Sequence, residues 1–570
     1  MFILAPLLTI ALGLASVSSR PTNNCRCTFG SACWPSDSDF QALASKISQP
    51  LLHPIPPATP CYDSAAGNCT QVQTEWHDGV WRSDQPGAAQ NTNWETYTFP
   101  NGTIEACYLG TSLGFPCQQG NVPIIGIDAR TLADVQEAVN FAGNHNLRLV
   151  IKNTGHDYLG RSSGRGSFLL WTHHMKNITF LDSFSPTGAT DSVTYNNVFT
   201  LGAGVQWFEA YEAAKERNVL IVGGFSLRGS VGAAGGWLAG GGHSALAPNY
   251  GLGVDNVLEM EIVTADGNLV VANSYQNQDL FWALRGGGGG TWGVVTSVTY
   301  KTHPPTPFSG AFLTVDSTNP NSTQTLLEEI IRLTSSLVDQ GYGGYVSGST
   351  DHLQLILLSP NVTVNQTQAT FSPLFESAAS QPGLSSQNET DAFPDLWTIY
   401  NLIWNNTDGN VGNPVEISSW LLPKDVVETG DPKNLAEELL KTASFEYNFV
   451  TGGQVSRVDS ESTGLNPVWR NSLVYTAVVS TWQEGANETQ IDAVRQRFIQ
   501  DMKIIEGLAP GSGAYLNEAS RYEFDWKKSF FGSHYDQLLN IKQKYDPNSL
   551  FLVYEGIGSD GWDADLICRV

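Results

Sequence analysis

His156 opens a glycine- and serine-rich turn within residues 148–164, RLVIKNTGHDYLGRSSG. The apolar run Leu149-Val150-Ile151 ahead of it reads as a buried strand. Gly155, Gly160 and Gly164 permit backbone conformations that set N–H groups in a concave row, the geometry that holds a phosphate. An imidazole at the lip of such a row can touch whatever the phosphate carries. A rival chemistry stands upstream. Gly110-Thr111-Ser112-Leu113-Gly114 matches the nucleophile elbow of serine hydrolases, with Ser112 as nucleophile. That elbow needs a strand before it and a helix after it. Here it sits between Cys107 and Cys117 in a cysteine-rich stretch, a context that argues against it.

The elements around His156 form a strand–helix–strand pattern. Residues 122–127 read as a strand, and Thr131 caps a helix with Asp134 three residues on. Leu132, Val135, Val139 and Ala142 recur at helical spacing, and residues 149–151 form the strand that delivers the histidine. Three glycine-rich blocks follow one another at 155–164, 223–242 and 286–290. They are interleaved with Trp237, Leu238, Trp292 and apolar strands, which favours backbone packed closely against a flat ligand over flexible linkers. The dinucleotide fingerprint fails, because Trp207 stands where the third glycine after Gly202 and Gly204 belongs. No Gly-Lys-Ser/Thr and no His-Glu-x-x-His occurs. Residues 258–272 alternate like a hairpin with its turn at Ala265-Asp266-Gly267. From Pro304 the character changes: amphipathic helices at 325–338, 434–442 and 489–505 alternate with strands, which reads as a sheet with helices on one face.

The chain has 570 residues, 41% of them hydrophobic and 15% charged, enough for two or three domains with a large core. A net charge of -25 repels phosphate backbones and anionic lipids, so neither nucleic acid nor membrane is an expected partner. Residues 1–19 read as a signal peptide, although no basic residue follows Met1. Asn-x-Ser/Thr triplets at Asn68, Asn101, Asn177, Asn321, Asn361, Asn365, Asn388, Asn405 and Asn487 fit an exported glycoprotein. So do eight cysteines, an even count that implies disulfides in an oxidising compartment. Cys25, Cys27, Cys33, Cys61, Cys69, Cys107 and Cys117 crowd the first 117 residues and Cys568 stands near the end, which predicts a bridge tying the tail to the N-terminal part. With no Cys-x-x-Cys pair and no Cys/His cluster, no metal site is expected. His173 and His174 are expected at the surface.

Taken together, TGHDYLGRS, LGAGVQW, GLGVDNVLEMEIVTADG, DLFWALRGGGGGTWGVVTSV and KYDPNSLF resemble the secreted FAD-linked oxidases of the vanillyl-alcohol oxidase and berberine bridge enzyme type. The fungal isoamyl alcohol oxidases look nearest. The resemblance covers residues 121–305 and the C-terminal region. It implies that His156 bonds covalently to the flavin 8α-methyl group. It also implies that Asn153, Thr154, Gly155, Asp157, Tyr158, Gly160, Arg161 and Ser162 wrap the pyrophosphate. Gly202, Gly204, Val205, Ser230, Val231, Gly232, Gly235, Gly236, Gly251 and Val263 would line the isoalloxazine and adenine sides. Gly240, Gly241 and His243 belong to the same cofactor-binding set, and Val231 falls where the family gates oxygen. Many members add a second, cysteinyl link, but Arg228 occupies that position here, so a single histidyl link is expected. Arg228 itself is either a cation near flavin N1 or an outer ion pair. Tyr515 and Asn517 match a Tyr-x-Asn segment of the family, which assigns Tyr515 as general base provided a nearby cation lowers its proton affinity.

The expected fold is α+β: a PCMH-type FAD domain (121–305, completed by 525–570), a substrate domain (306–524), and a cysteine-rich extension (20–120). The expected function is a secreted, monomeric oxidase passing hydride from an alcohol-type donor to FAD, with O2 reduced to hydrogen peroxide. Oxidation or cyclisation of a secondary metabolite on the same scaffold is the alternative, and fold alone does not decide between them.

Overall fold

The computed structural model describes residues 24–190, 192–405 and 411–570; the expected signal peptide lies outside the described residues. Eight strands form two sheets in the N-terminal half: β1 (Ile125–Asp128), β2 (Leu149–Lys152), β3 (Phe168–Trp171), β4 (Ile178–Phe184), β5 (Tyr195–Gly202), β6 (Val257–Val263), β7 (Leu269–Asn273) and β8 (Val294–Lys301). β1 and β2 flank β3 in a parallel three-stranded sheet. The strand predicted at 122–127 is shorter than expected and starts at Ile125. Helix α1 (Leu132–Asn144) crosses between β1 and β2, and its start is the predicted capping box of Thr131 with Asp134. The other five strands form an antiparallel sheet in the order β4-β5-β8-β6-β7, with the expected hairpin between β6 and β7.

Seven strands of the C-terminal half form the second large sheet: β9 (Phe308–Ser317), β10 (Gly343–Gly348), β11 (His352–Pro360), β12 (Leu384–Phe393), β13 (Val415–Pro423), β14 (Phe445–Asn448) and β15 (Ser472–Thr481). Their order is β12-β9-β11-β10-β14-β15-β13, antiparallel throughout. Helices α2 (Pro320–Asp339), α3 (Val364–Ser380) and α4 (Glu488–Leu508) carry buried stripes such as Leu326, Leu327, Ile330 and Ile331. Strand side chains alternate between faces. In register, Tyr345, Gln354, Glu446, Tyr475 and Ile417 therefore share one face, and this face looks onto the cavity described below.

All eight cysteines are paired, as Cys25–Cys568, Cys27–Cys33, Cys61–Cys69 and Cys107–Cys117. The first pair ties the tail to the N-terminal part, as the spacing predicts. Leu52 exchanges both backbone hydrogen bonds with Gly126 at the outer edge of β1, so the proline-rich segment 50–60 is anchored against the three-stranded sheet. All nine acceptor asparagines are exposed. Among the described residues, no helix is long and apolar enough to cross a membrane.

The KYDPNSLF segment closes on a buried ammonium. Lys542 Nζ donates to Asp546 and to the carbonyls of Thr291 and Phe551, each at 2.6 Å, while Asp546 accepts from the N–H groups of Leu550 and Phe551. Both side chains are almost wholly shielded from water, so each compensates the other. Replacing Lys542→Met is expected to cost about 3–5 kcal/mol of unfolding free energy, the price of an uncompensated buried carboxylate. Urea denaturation followed by tryptophan fluorescence measures it.

Candidate active site

A cavity of about 590 Å³ runs between the two halves of the molecule. One end is lined by Leu149, Val150, Ile151, Val294, Val295 and residues 551–553; the other by Phe225, Tyr345, Trp404, Glu446 and Glu518. Strand β2 ends at its wall, and residues 153–158 continue along it.

The loop after β2 is held from both sides. Asn153 donates to the Ala203 carbonyl, and a Cβ at Gly232 or Gly235 would come within 2.7 and 2.9 Å of its amide nitrogen, so the approach requires glycine at both positions. Asp157 folds the turn by accepting from the N–H groups of Leu159, Arg161 and Ser162 and from Arg161 Nε. The N-terminal extension closes the back: Gln90 donates its backbone N–H to Gly155 and its side-chain amide to Thr154. His156 Nε2 lies 2.8 Å from the hydroxyl of Ser230, which leaves Nδ1 as the nitrogen able to carry a substituent. Burial lowers its pKa to about 4, so the imidazole is neutral and nucleophilic at ordinary pH.

Across the cavity lies a carboxylate pair among tyrosines. Glu518 accepts from Tyr475 and lies 3.1 Å from His243 Nε2, and His243 stacks on Tyr475. Burial works to raise the Glu518 carboxyl, but the charge and hydrogen bond of His243 and the hydroxyl of Tyr475 outweigh it and hold it below the usual range. Glu446 has one donor, Asn448 Nδ2 at 2.7 Å, so burial and then the Glu518 charge raise it well above that range. Tyr515 accepts from Asn517 Nδ2 at 2.9 Å, and the same amide nitrogen donates to the Gly236 carbonyl at 2.8 Å. Gly240 packs behind it, where a Cβ would run into the Asn517 amide.

The structure thus places Asn153, Thr154, Gly155, His156, Asp157, Tyr158, Arg161, Ser162, Ser230, Val231, Gly232, Gly235, Gly236, His243, Tyr515 and Asn517 on the cavity wall. It places the other expected residues elsewhere. Gly160 packs against Trp94 and Arg521, Gly202 and Gly204 against the carbonyls of Met175 and His173, and Gly241 against Leu465. Gly251 abuts Asp255, while Val205 and Val263 are core residues. These positions shape the wall from behind.

Two expectations, those for Tyr515 and His173, need correction, while Arg228 takes one of its two readings and Ser112 lacks the elbow context. Burial first, and then Glu518, raise the Tyr515 phenol instead of lowering it, so at neutral pH it holds a proton to give rather than a site to take one. Arg228 turns outward to Asp78 at 2.6 Å, the outer ion pair. His173 is not at the surface: its side chain is fully buried against Asp84, because Trp171 and His173 stack at the end of β3. Ser112 lies exposed on the 3-10 turn Thr111–Leu113 with no strand leading into it, so the elbow geometry is missing. Residue reading overlooked Glu446, Tyr475 and Tyr345, which only the register of distant strands brings to one face; Ser230 was named, but not as the partner of His156.

The open glycine-lined wall, with the unpartnered buried Oδ1 atoms of Asn153 and Asn517 in it, suits a ligand rich in hydrogen-bonding groups. The FAD binding domain family matches residues 123–273, and the "Berberine and berberine like" family matches residues 514–558. The chain is 37% identical over 577 residues to an uncharacterized FAD-linked oxidoreductase of Arthroderma benhamiae, covering 96% of each chain. It is 34% identical over 529 residues to the flavin-dependent oxygenase ucdF of Aspergillus ustus, covering 88% of this chain and 93% of that one. The crystal structure of the VAO-type flavoprotein MtVAO615 from Myceliophthora thermophila C1 superposes with a TM-score of 0.84 at 30% identity, covering 96% of this chain and 100% of the other. The chain belongs to the VAO-type, berberine-bridge-like FAD-linked oxidoreductases. It is an enzyme with an FAD-binding domain.

The Asp157 carboxylate is the single acceptor on which the His156 turn closes, and its partner Arg161 is itself mostly buried. Asp157→Ala is expected to cost about 3 kcal/mol, as for a buried ion pair broken on one side. The loss is read from urea denaturation, and the same variant is expected to retain less flavin.

Proposed function

We propose that the protein is a secreted oxidase holding FAD through one covalent bond, from His156 Nδ1 to the flavin 8α-methyl group, and acting on a CH–OH donor. The observation that carries this reading is the shared cavity, with a neutral, Ser230-oriented imidazole on one wall and a high-pKa carboxylate on another. When bound, FAD supplies the hydride acceptor and passes two electrons to O2, giving hydrogen peroxide.

The chain's own residues bind, orient and move the proton. Ser230 holds Nε2 of the His156 ring and so leaves Nδ1 for the flavin. Glu446, as carboxylate, takes the hydroxyl proton of the donor while its carbon gives up hydride. Tyr515, a phenol held by Asn517, donates a hydrogen bond to the substrate oxygen in place of the base role. Glu518, kept ionised by His243 and Tyr475, raises the proton affinity of Glu446. Arg228 is engaged by Asp78 and supplies no second link. We also assign residues 121–305 and 525–570 to FAD binding and 306–524 to the substrate.

The aromatic walls formed by Tyr158, Phe225, Tyr345 and Trp404 favour a bulky, apolar donor over a short alcohol. This supports the second reading, a biosynthetic oxidoreductase acting on a secondary metabolite, and the oxygenase name of the Aspergillus ustus relative points the same way.

Two experiments test the reading. Acid precipitation is expected to leave flavin colour in the wild-type pellet and release it from His156→Ala; colour in the wild-type supernatant defeats the covalent bond. For the base, the working form of Glu446 is the carboxylate, so activity is lost as pH falls through its pKa. Because that pKa is raised, the acid limb should lie above the usual carboxylate range, closer to neutrality. Glu446→Gln should lower kcat by about 10²–10⁴-fold and remove the limb. A limb unchanged in this variant rules Glu446 out as base.

A further inference from the structure

Behind the wall that carries Asn153 and Thr172, three residues from two parts of the chain converge. Asp84 caps the C-terminal end of the short helix Gly79–Ser83 in the N-terminal extension, and His173 and His174 follow β3. One ligand atom from each of the three lies within 4.8 Å of the others. His173 Nε2 stands 2.7 Å from Asp84 Oδ1. His174 is oriented differently: its Nδ1 is 2.8 Å from Asp128 Oδ1, and Asp128 is in turn bound by Arg130. A ring whose Nδ1 is held by a carboxylate presents Nε2 outward, the usual arrangement behind a metal-bound imidazole.

We infer that Asp84, His173 and His174 form a site for a divalent transition-metal ion of the zinc type, with the remaining coordination position open to water. Two imidazoles and one carboxylate are the ligand set such ions prefer over magnesium or calcium. Asp128 is the positioning residue for His174. Metal–ligand bonds of about 2.0–2.2 Å at tetrahedral angles put ligand atoms about 3.3 Å apart, so the 2.7 Å Asp84–His173 contact must open by about 0.6 Å. Asp84, with 56% of its side chain exposed at a helix end, can make that movement, while buried His173 stays in place. The neighbouring cation, Lys176, is already bound by Glu209 at 2.7 Å and Gln206 at 3.2 Å. The bound ion would clamp the extension to the strand that neighbours β2, the strand bearing His156.

The test uses untagged flavoprotein, dialysed against EDTA and titrated with zinc chloride against a competing chelator dye. One equivalent of zinc is expected, with a rise in melting temperature. Asp84→Asn and His174→Ala, both at partly exposed positions that leave the core intact, should each weaken binding more than tenfold and abolish the thermal shift. Asp128→Asn should weaken it about tenfold, as for a lost outer-shell partner. Wild-type protein that holds no stoichiometric zinc at micromolar concentration overturns the site, and so does a His174→Ala variant that binds as the wild type does.

Discussion

The active site depends on holding one unsupported strand end. After Lys152 the chain leaves the sheet, and nothing in the ladder fixes the next five residues, yet one of them must present a single ring nitrogen to the cavity. The N-terminal extension supplies the missing partners. Gln90 bonds the backbone on both sides of Thr154–Gly155, Ser83 bonds Thr154, and Lys152 Nζ reaches the carbonyl of Gln85. The extension can do so because it is itself braced by a fully buried Arg82, which bonds Glu95 and the Ala89 carbonyl and stacks over Trp76. Burying those charges is costly unless each donor and acceptor is met. The geometry meets them, so the extension is built into the back of the site rather than appended to it.

A second constraint acts on the opposite wall. Two carboxylates in one low-dielectric cavity cannot both ionise freely, and their environments pull them apart. Glu518 has donors on both oxygens and stays charged, whereas Glu446 has one and is pushed toward the neutral form. The surrounding tyrosines cannot share the charge, because burial raises Tyr475 and Tyr515 as well. In the proposed mechanism the proton-accepting role therefore falls to a carboxylate and not to the phenol.

Much of this was legible in the residues, for identifiable reasons. The strand–turn–helix around Thr131 and the turn at His156 are local, coded by a capping pair, an apolar run and glycines. That Cys568 bridges to the N-terminal region followed from counting, since the tail has one cysteine and that region seven; that its partner is Cys25 did not. Glu446 was not legible. It sits in the four-residue strand Phe445–Asn448, and it reaches the cavity because Ser347 lies opposite it and Gln354 lies opposite Ser347. Such register is set by long-range packing, not by local pattern. His173 was misplaced for a related reason: a histidine beside a turn looks exposed until the extension is folded over it.

The missing cysteine can now be understood structurally. Arg228 has φ of 55°, a left-handed backbone that turns its side chain toward Asp78 on the extension. Two residues on, Ser230 is fully buried with its hydroxyl on His156 Nε2. The segment that in many relatives is expected to supply a second covalent bond here supplies instead a hydroxyl that hydrogen-bonds the His156 ring. A hydroxyl on Nε2 restrains the ring's rotation and leaves Nδ1 as the nitrogen without that partner. The imidazole on which the proposed single link rests is thus held by a neighbouring hydroxyl, while Arg228 pairs with Asp78 on the extension.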